Sequence, residues 1–130
     1  MKILFIVPYA PTRIRTRPLN LIRALRAEGH DVTVATLWTS EQERVALGAL
    51  ETDGSRVIAE RLPLARAAWN CLQALAGSEP LQASYSWSPQ LAGRLRRVVE
   101  QTTFDVIHVE HLRGVRYGLM LARLVSDRAP

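Results

Sequence analysis

The chain has almost no cysteine and almost no lysine: Cys71 and Lys2 are the only ones in 130 residues. One cysteine excludes an internal disulfide framework and a cysteine-built zinc quartet. Cys71 falls at helical spacing in LARAAWNCLQAL, the setting of a packed thiol. Long hydrophobic runs are missing, and none approaches the roughly 18 residues of a membrane span. The apolar stretch behind Lys2 lasts about five residues before Pro8, short of the ~7–15 of a secretory signal. A cytoplasmic location is therefore expected. Glycine-rich phosphate loops are absent: neither G-x-G-x-x-G nor the P-loop pattern occurs, which removes the usual marks of NAD, FAD and ATP sites. G-x-S-x-G and H-E-x-x-H are absent too, so no serine-nucleophile or zinc-protease pattern is present. His30 sits at a helix end, while His108 and His111 straddle a strand terminus. That is not metal spacing, and no metal is expected.

What the chain has in quantity is arginine. Lysine plus arginine outnumber acidic residues 17 to 12, for a net charge of +5. Guanidinium groups suit planar, bidentate anion recognition, and a basic chain attracts nucleic acid, anionic membranes or phosphorylated ligands. No recognised DNA or RNA module accompanies the charge, so nucleic acid is not an expected partner. Hydrophobic residues make up 48% of the chain, enough for the core of one ordinary domain.

The pattern alternates strand and helix. KILFIV at 2–7 is a continuous apolar run, as in a strand buried on both faces. A helix follows from about Arg17, with Pro18 in its first turn and Gly29 closing it. Leu21, Ile22 and Leu25 form its inner face, and Arg23 and Arg26 its solvent side. VTVATL at 32–37 is a second strand. Ser40 with Glu43 reads as a capping box for a helix over 40–51, and 55–62 as a third strand. From Pro63 a helix places Leu64, Ala67, Ala68, Cys71, Leu72 and Leu75 in one inward stripe, and Trp69 and Trp87 read as core or partly buried anchors. QASYSWSPQ reads as a polar, aromatic connection. A helix over about 88–101 turns Leu91, Leu95, Val98 and Val99 inward and Arg94, Arg96 and Arg97 outward. FDVIHV at 104–109 is a fourth strand, and a helix covers 115–125. This alternation predicts a doubly wound, Rossmann-like parallel α/β sheet in the order 3-2-1-4. An apolar fourth strand makes a poor edge. The chain is thus expected to be an incomplete sheet, with SDRAP at 126–130 leading toward another strand.

In such sheets, ligands bind beyond the carboxyl ends of the strands where strand order reverses. That point lies between the first and fourth strands. It selects the loops PYAPTRIRT and EHLRGVR, and with them Tyr9, Thr12, Arg13, Arg15, Thr16, Glu110, His111 and Arg113. Arginines beside a helix N-terminus make an anion site, because orphan N–H groups and the helix dipole add to their charge. Glu110 and His111 are candidate general bases. His108, inside the strand pattern, reads as a hydrogen-bonded core histidine.

KILFIVPYAP, then LIRALRAEGHDVTVAT, then FDVIHVEHLRG, in that order, resemble the N-terminal half of a retaining glycosyltransferase of family 4, with its two-domain GT-B fold. The resemblance implies that residues 1–130 are a partial, acceptor-side domain, and that a separate C-terminal domain holds the nucleotide-sugar donor. It also implies a sugar or lipid-linked acceptor and transfer without a catalytic metal or other cofactor. An anionic membrane surface at the inner face is a candidate partner. Many relatives have paired glycines after the first strand, where this chain reads PTRIRTR; Arg13 and Arg15 would then replace backbone N–H contacts to phosphate. Many have His-X-His-Glu-Pro after the fourth strand, where this chain reads His108-Val109-Glu110-His111. Either Glu110 or His111 would face the cleft and orient the acceptor hydroxyl. Two other readings stand beside this one. The first is a stand-alone Rossmann-like domain that binds an anion or regulates without catalysis. The second is a basic module that attaches through Arg94, Arg96 and Arg97 to membrane or nucleic acid.

Overall fold

The computed structural model describes residues 1–127. Its elements, in chain order, are β1 (Lys2–Val7), α1 (Thr16–Ala27), β2 (Asp31–Trp38), α2 (Glu41–Thr52), β3 (Arg56–Arg61), α3 (Leu64–Leu75), α4 (Leu81–Tyr85), α5 (Pro89–Gln101), β4 (Val106–Val109) and α6 (Val115–Ser126). A 3₁₀ turn at Leu112–Gly114 leads into α6. The four strands form one all-parallel sheet in the order β3-β2-β1-β4, as expected for a Rossmann-like fold.

Period-two alternation gives β1 and β2 two buried faces. Phe5, Val7, Val32 and Val34 pack with Leu19 and Ile22 of α1 and Leu47 and Leu50 of α2. Leu4, Ile6, Ala35 and Leu37 pack on the other face with Leu91 and Leu95 of α5 and Tyr117 and Leu121 of α6. In register, Phe5 lies opposite Val34 on one side and His108 on the other. Glu110 N–H donates to the Ile6 carbonyl at 2.8 Å, which carries the β1–β4 ladder one residue beyond the strand. Gly29 takes a φ of +82°, a conformation glycine reaches without a Cβ penalty, and so ends α1.

Several expectations need correction. The stripe Leu64, Ala68, Leu72 and Leu75 does not face the core. The buried residues of α3 are Ala67, Asn70 and Ala74, Cys71 is half-buried, and Trp69 is exposed. The reason is Asn70, whose amide donates to the carbonyls of Trp87 (2.8 Å) and Tyr85 (3.4 Å) and so sets which side of α3 turns inward. The stretch 82–90 is not merely a connection: its first residues belong to α4, and Ser84, Ser86 and Ser88 are buried. Arg94 does not point freely outward; it is half-buried and donates to Glu60 (2.8 Å) and to the Ala59 carbonyl (3.1 Å). Arg26 likewise folds back onto the His30 carbonyl at 2.9 Å. β4 is shorter than 104–109, because Asp105 turns its carboxylate to the Lys2 N–H at 2.7 Å. Ser126 ends α6 and Asp127 caps it; the rest of SDRAP lies outside the described residues.

Candidate functional site

Two loops meet at the carboxyl edge of the sheet, one between β1 and α1 and the other between β4 and α6. Tyr9, Ile14, Arg15, Thr16, Arg17, Pro18, Gln82, His111 and Arg113 line a cavity of about 460 Å³ there. Of the residues selected from the sequence, Tyr9, Arg15, Thr16, His111 and Arg113 are on its wall. Thr12 and Arg13 line a separate cavity of about 500 Å³ against α2, with Ser40, Gln42 and Glu43; Arg15 borders both. Glu110 lies beneath the wall, 4% exposed.

The arginines differ in how far they are already committed. Arg15 pairs with Glu43 at 3.1 Å, donates to the Ala10 carbonyl at 3.4 Å and lies over the Tyr9 ring. Arg113 sits 5.8 Å from the ring centroids of both Tyr9 and Tyr85. Among the described residues it has neither a hydrogen bond nor an ion pair, which leaves its donors available. Arg17 points largely into solvent, its Nε 3.5 Å from Glu110 Oε1. The first turn of α1 contains no acidic residue and receives no side-chain cap. Its orphan N–H groups therefore add a positive end to this cationic wall.

The second loop is strained. His111 has a φ of +68°, a conformation that costs a non-glycine residue about 1–3 kcal/mol. The residues around it are closely packed. The 3₁₀ turn and α6 approach β4 through Gly114 and Gly118, where a Cβ would lie 2.7 Å and 2.9 Å from the Val109 methyls. The imidazole of His111 meets the Tyr9 ring edge-on at 6.5 Å. Glu110 lies buried beneath this surface. Its Oε2 lies 3.0 Å from His108 Nε2, and His108 stacks on Phe5. His108 is hydrogen-bonded as expected, but it is not a core residue: its side chain is 38% exposed, and its partner Glu110 is one that the sequence did not name. Burial first, and then the Glu110 charge, hold the Tyr9 hydroxyl above its ordinary pKa against the pull of Arg113, Arg15 and Arg17. Tyr9 therefore presents an O–H donor at neutral pH.

Arg15 owes its position to α2. Ser40 Oγ accepts from the Glu43 N–H at 3.3 Å, as the capping pattern requires. The Glu43 carboxylate, however, reaches back to Thr39 N–H (2.7 Å) and Thr39 Oγ1 (3.0 Å), one residue before the cap. Burial acts to raise the Glu43 pKa, but the Thr39 hydrogen bonds and the Arg15 charge outweigh it and hold the carboxyl below its ordinary 4.5. A carboxyl depressed by folding stabilises the fold above its unfolded pKa, and that contribution disappears as pH falls through the lower folded value. Denaturant titrations are accordingly expected to show stability falling below about pH 4.5, with a shallower fall in Glu43→Gln. An identical pH profile in both proteins would contradict the coupling.

Arg17 and Gln82 are wall residues that sequence reasoning passed over. Arg17 continues the run TRIRTR and could have been included on that ground. Gln82 comes from α4, and nothing local marks it. Among the described residues, no group of three or more His, Cys, Asp or Glu could hold a metal ion, and no helix is long and apolar enough to cross a membrane.

A family model described as a glycosyl transferase 4-like domain matches residues 14–130. Comparison with curated proteins and with solved structures finds no match.

Proposed function

Because the chain belongs to the glycosyl transferase 4-like domain family, we propose that it is the acceptor-binding portion of an enzyme that moves a sugar from a nucleotide-sugar to a glycan or lipid-linked acceptor. The observation that carries this reading is the cationic cavity at the carboxyl edge between β1 and β4. Arg113, with Arg17 and Arg15, would hold a phosphate or carboxylate of the acceptor at the α1 N-terminus. Tyr9 would donate its O–H to the same ligand. His111 lines the cavity, and its imidazole would accept a hydrogen bond from an acceptor hydroxyl and orient its oxygen. Glu110, buried beneath, would act through its contacts with Arg17 and His108 by holding charge under the wall.

β4 pairs only with β1 among the described residues, so its outer edge can receive further strands. That supports the reading of a partial N-terminal domain of a GT-B fold whose donor site lies on a C-terminal domain. The nucleotide-sugar is then a substrate, and no cofactor takes part. The reaction would proceed in the cytoplasm, at the inner membrane face where the acceptor is lipid-linked. Calorimetric titration tests the division of labour. The chain is expected to bind a sugar phosphate saturably and to form no transfer product when a nucleotide-sugar is added. Saturable binding of the nucleotide-sugar without the sugar phosphate, or transfer at ordinary enzyme rates by this chain alone, would overturn the acceptor-side assignment.

A further inference from the structure

Glu110 sets an electrostatic problem. It is a buried carboxylate beneath a cavity walled by Arg15, Arg17 and Arg113. Its charge reaches that wall: burial first, and then the Glu110 charge, hold the Tyr9 hydroxyl above its ordinary pKa. A buried carboxylate needs a compensating partner, and one beneath an anion site also repels the ligand. Glu110 has two partners. Its Oε1 lies 3.5 Å from Nε of Arg17, whose side chain is 83% exposed, so this pair is loose and screened by solvent. Its Oε2 lies 3.0 Å from His108 Nε2. Because a carboxylate only accepts, Nε2 carries the hydrogen, and Nδ1 is the nitrogen that gains or loses a proton. The His108 ring stacks on Phe5, 4.5 Å between centroids, and its side chain is partly exposed. It is held in place and still open to water.

We propose that His108 is a positioning residue that tunes the cavity by proton uptake: an anion entering beside Arg17 draws a proton from solvent onto Nδ1 of His108. The imidazolium then offsets the Glu110 charge, and the wall meets the ligand as a net cation. No bond of the ligand changes; one proton moves from solvent to the ring. Histidine is the side chain whose ordinary titration spans neutral pH. By linkage, anion affinity falls as pH rises through that range, because Glu110 is then uncompensated and competes for Arg17. The other charges near Glu110 do not supply this response. The guanidinium groups of Arg15, Arg17 and Arg113 stay charged throughout, Tyr9 keeps its proton at neutral pH, and β1 presents the uncharged Phe5 ring. His111, next in the chain and on the cavity wall, is a second histidine whose contribution has to be separated. The inference rests on the reading of the cavity as an anion site.

Residue-resolved NMR of the isotopically labelled chain, titrated with sulfate, tests the proposal. Sulfate carries the charge of a phosphate dianion and does not itself titrate near neutrality. At about pH 7, sulfate is expected to move the His108 ring signals toward those of the protonated ring. Its affinity is expected to fall roughly three- to tenfold between about pH 5.5 and about pH 8. His108→Gln keeps an N–H donor for Glu110 but cannot take the proton, so most of that pH dependence should disappear, leaving the part due to His111. Glu110→Gln removes the opposing charge and should bind sulfate more tightly than wild type at about pH 8. A merely structural role for His108 would weaken binding alike at both pH values. Sulfate binding with unmoved His108 signals, or an unchanged pH dependence in His108→Gln, would overturn the proposal and leave the anion site standing. Absence of sulfate binding at both pH values would overturn both.

Discussion

Arg113→Ala is expected to weaken binding of a phosphorylated acceptor by roughly 10- to 100-fold, the value of one charge-assisted hydrogen-bonding side chain, while leaving the folding stability nearly unchanged. The asymmetry follows from the position of Arg113. Its guanidinium lies 5.8 Å from the ring centroids of both Tyr9 and Tyr85 and makes no hydrogen bond or ion pair among the described residues. Removing it therefore orphans nothing. Arg15→Ala differs, because Arg15 also satisfies Glu43 and the Ala10 carbonyl; both affinity and stability should fall. Arg13→Ala should change neither, since Arg13 lines the cavity against α2. Affinity measured by calorimetry and stability measured by denaturant titration separate the three variants. An Arg13 effect as large as that of Arg113 would move the binding site to the other cavity.

Tyr117→Phe is expected to lower folding stability by about 2–4 kcal/mol, because one hydroxyl serves two buried backbone groups. Tyr117 is fully buried and stacks on Trp87 at 4.9 Å. Its hydroxyl accepts from the Ser88 N–H at 2.7 Å and donates to the Ser86 carbonyl. Phenylalanine fills the same space and leaves both groups unpaired. The bonds tie α6 to the segment between α4 and α5, so the loss should also loosen α4 and with it Gln82 on the cavity wall. Burial holds the hydroxyl well above the ordinary tyrosine range, against the Ser88 hydrogen bond and the Arg116 charge. A raised acid pKa stabilises the fold below the unfolded value, and that contribution fades as pH rises through about 10. The wild-type protein should therefore lose stability above about pH 10, a loss that Tyr117→Phe should reduce. A variant as stable as wild type would show that the hydroxyl bonds are dispensable.

The sheet was legible in the sequence because most of its strands are short apolar runs closed by proline or a helix cap, and because α/β alternation leaves few strand orders open. The candidate site was legible at the level of loops, since the place where strand order reverses does not depend on side chains. Side-chain commitments were less accessible. Arg15 is fixed by Glu43 and Arg94 by Glu60, partners from distant parts of the chain that no local spacing reveals. The orientation of α3 could not be read either. Its leucines form a clear apolar stripe at helical spacing, yet that stripe faces outward, and the side carrying Asn70 turns inward, where its amide finds two carbonyls. The choice between Glu110 and His111 depended on the positive φ at residue 111, which turns one side chain to the cavity and leaves the other beneath it.

Residue-resolved NMR titration of the isotopically labelled chain with a sugar phosphate tests the central claim most directly. The account predicts saturable amide shifts concentrated at residues 9–17 and 110–116, with the Arg113 side chain among the largest and residues 40–52 little affected. Shifts centred on α2 and the Arg13 cavity, or none at saturating ligand, would contradict it.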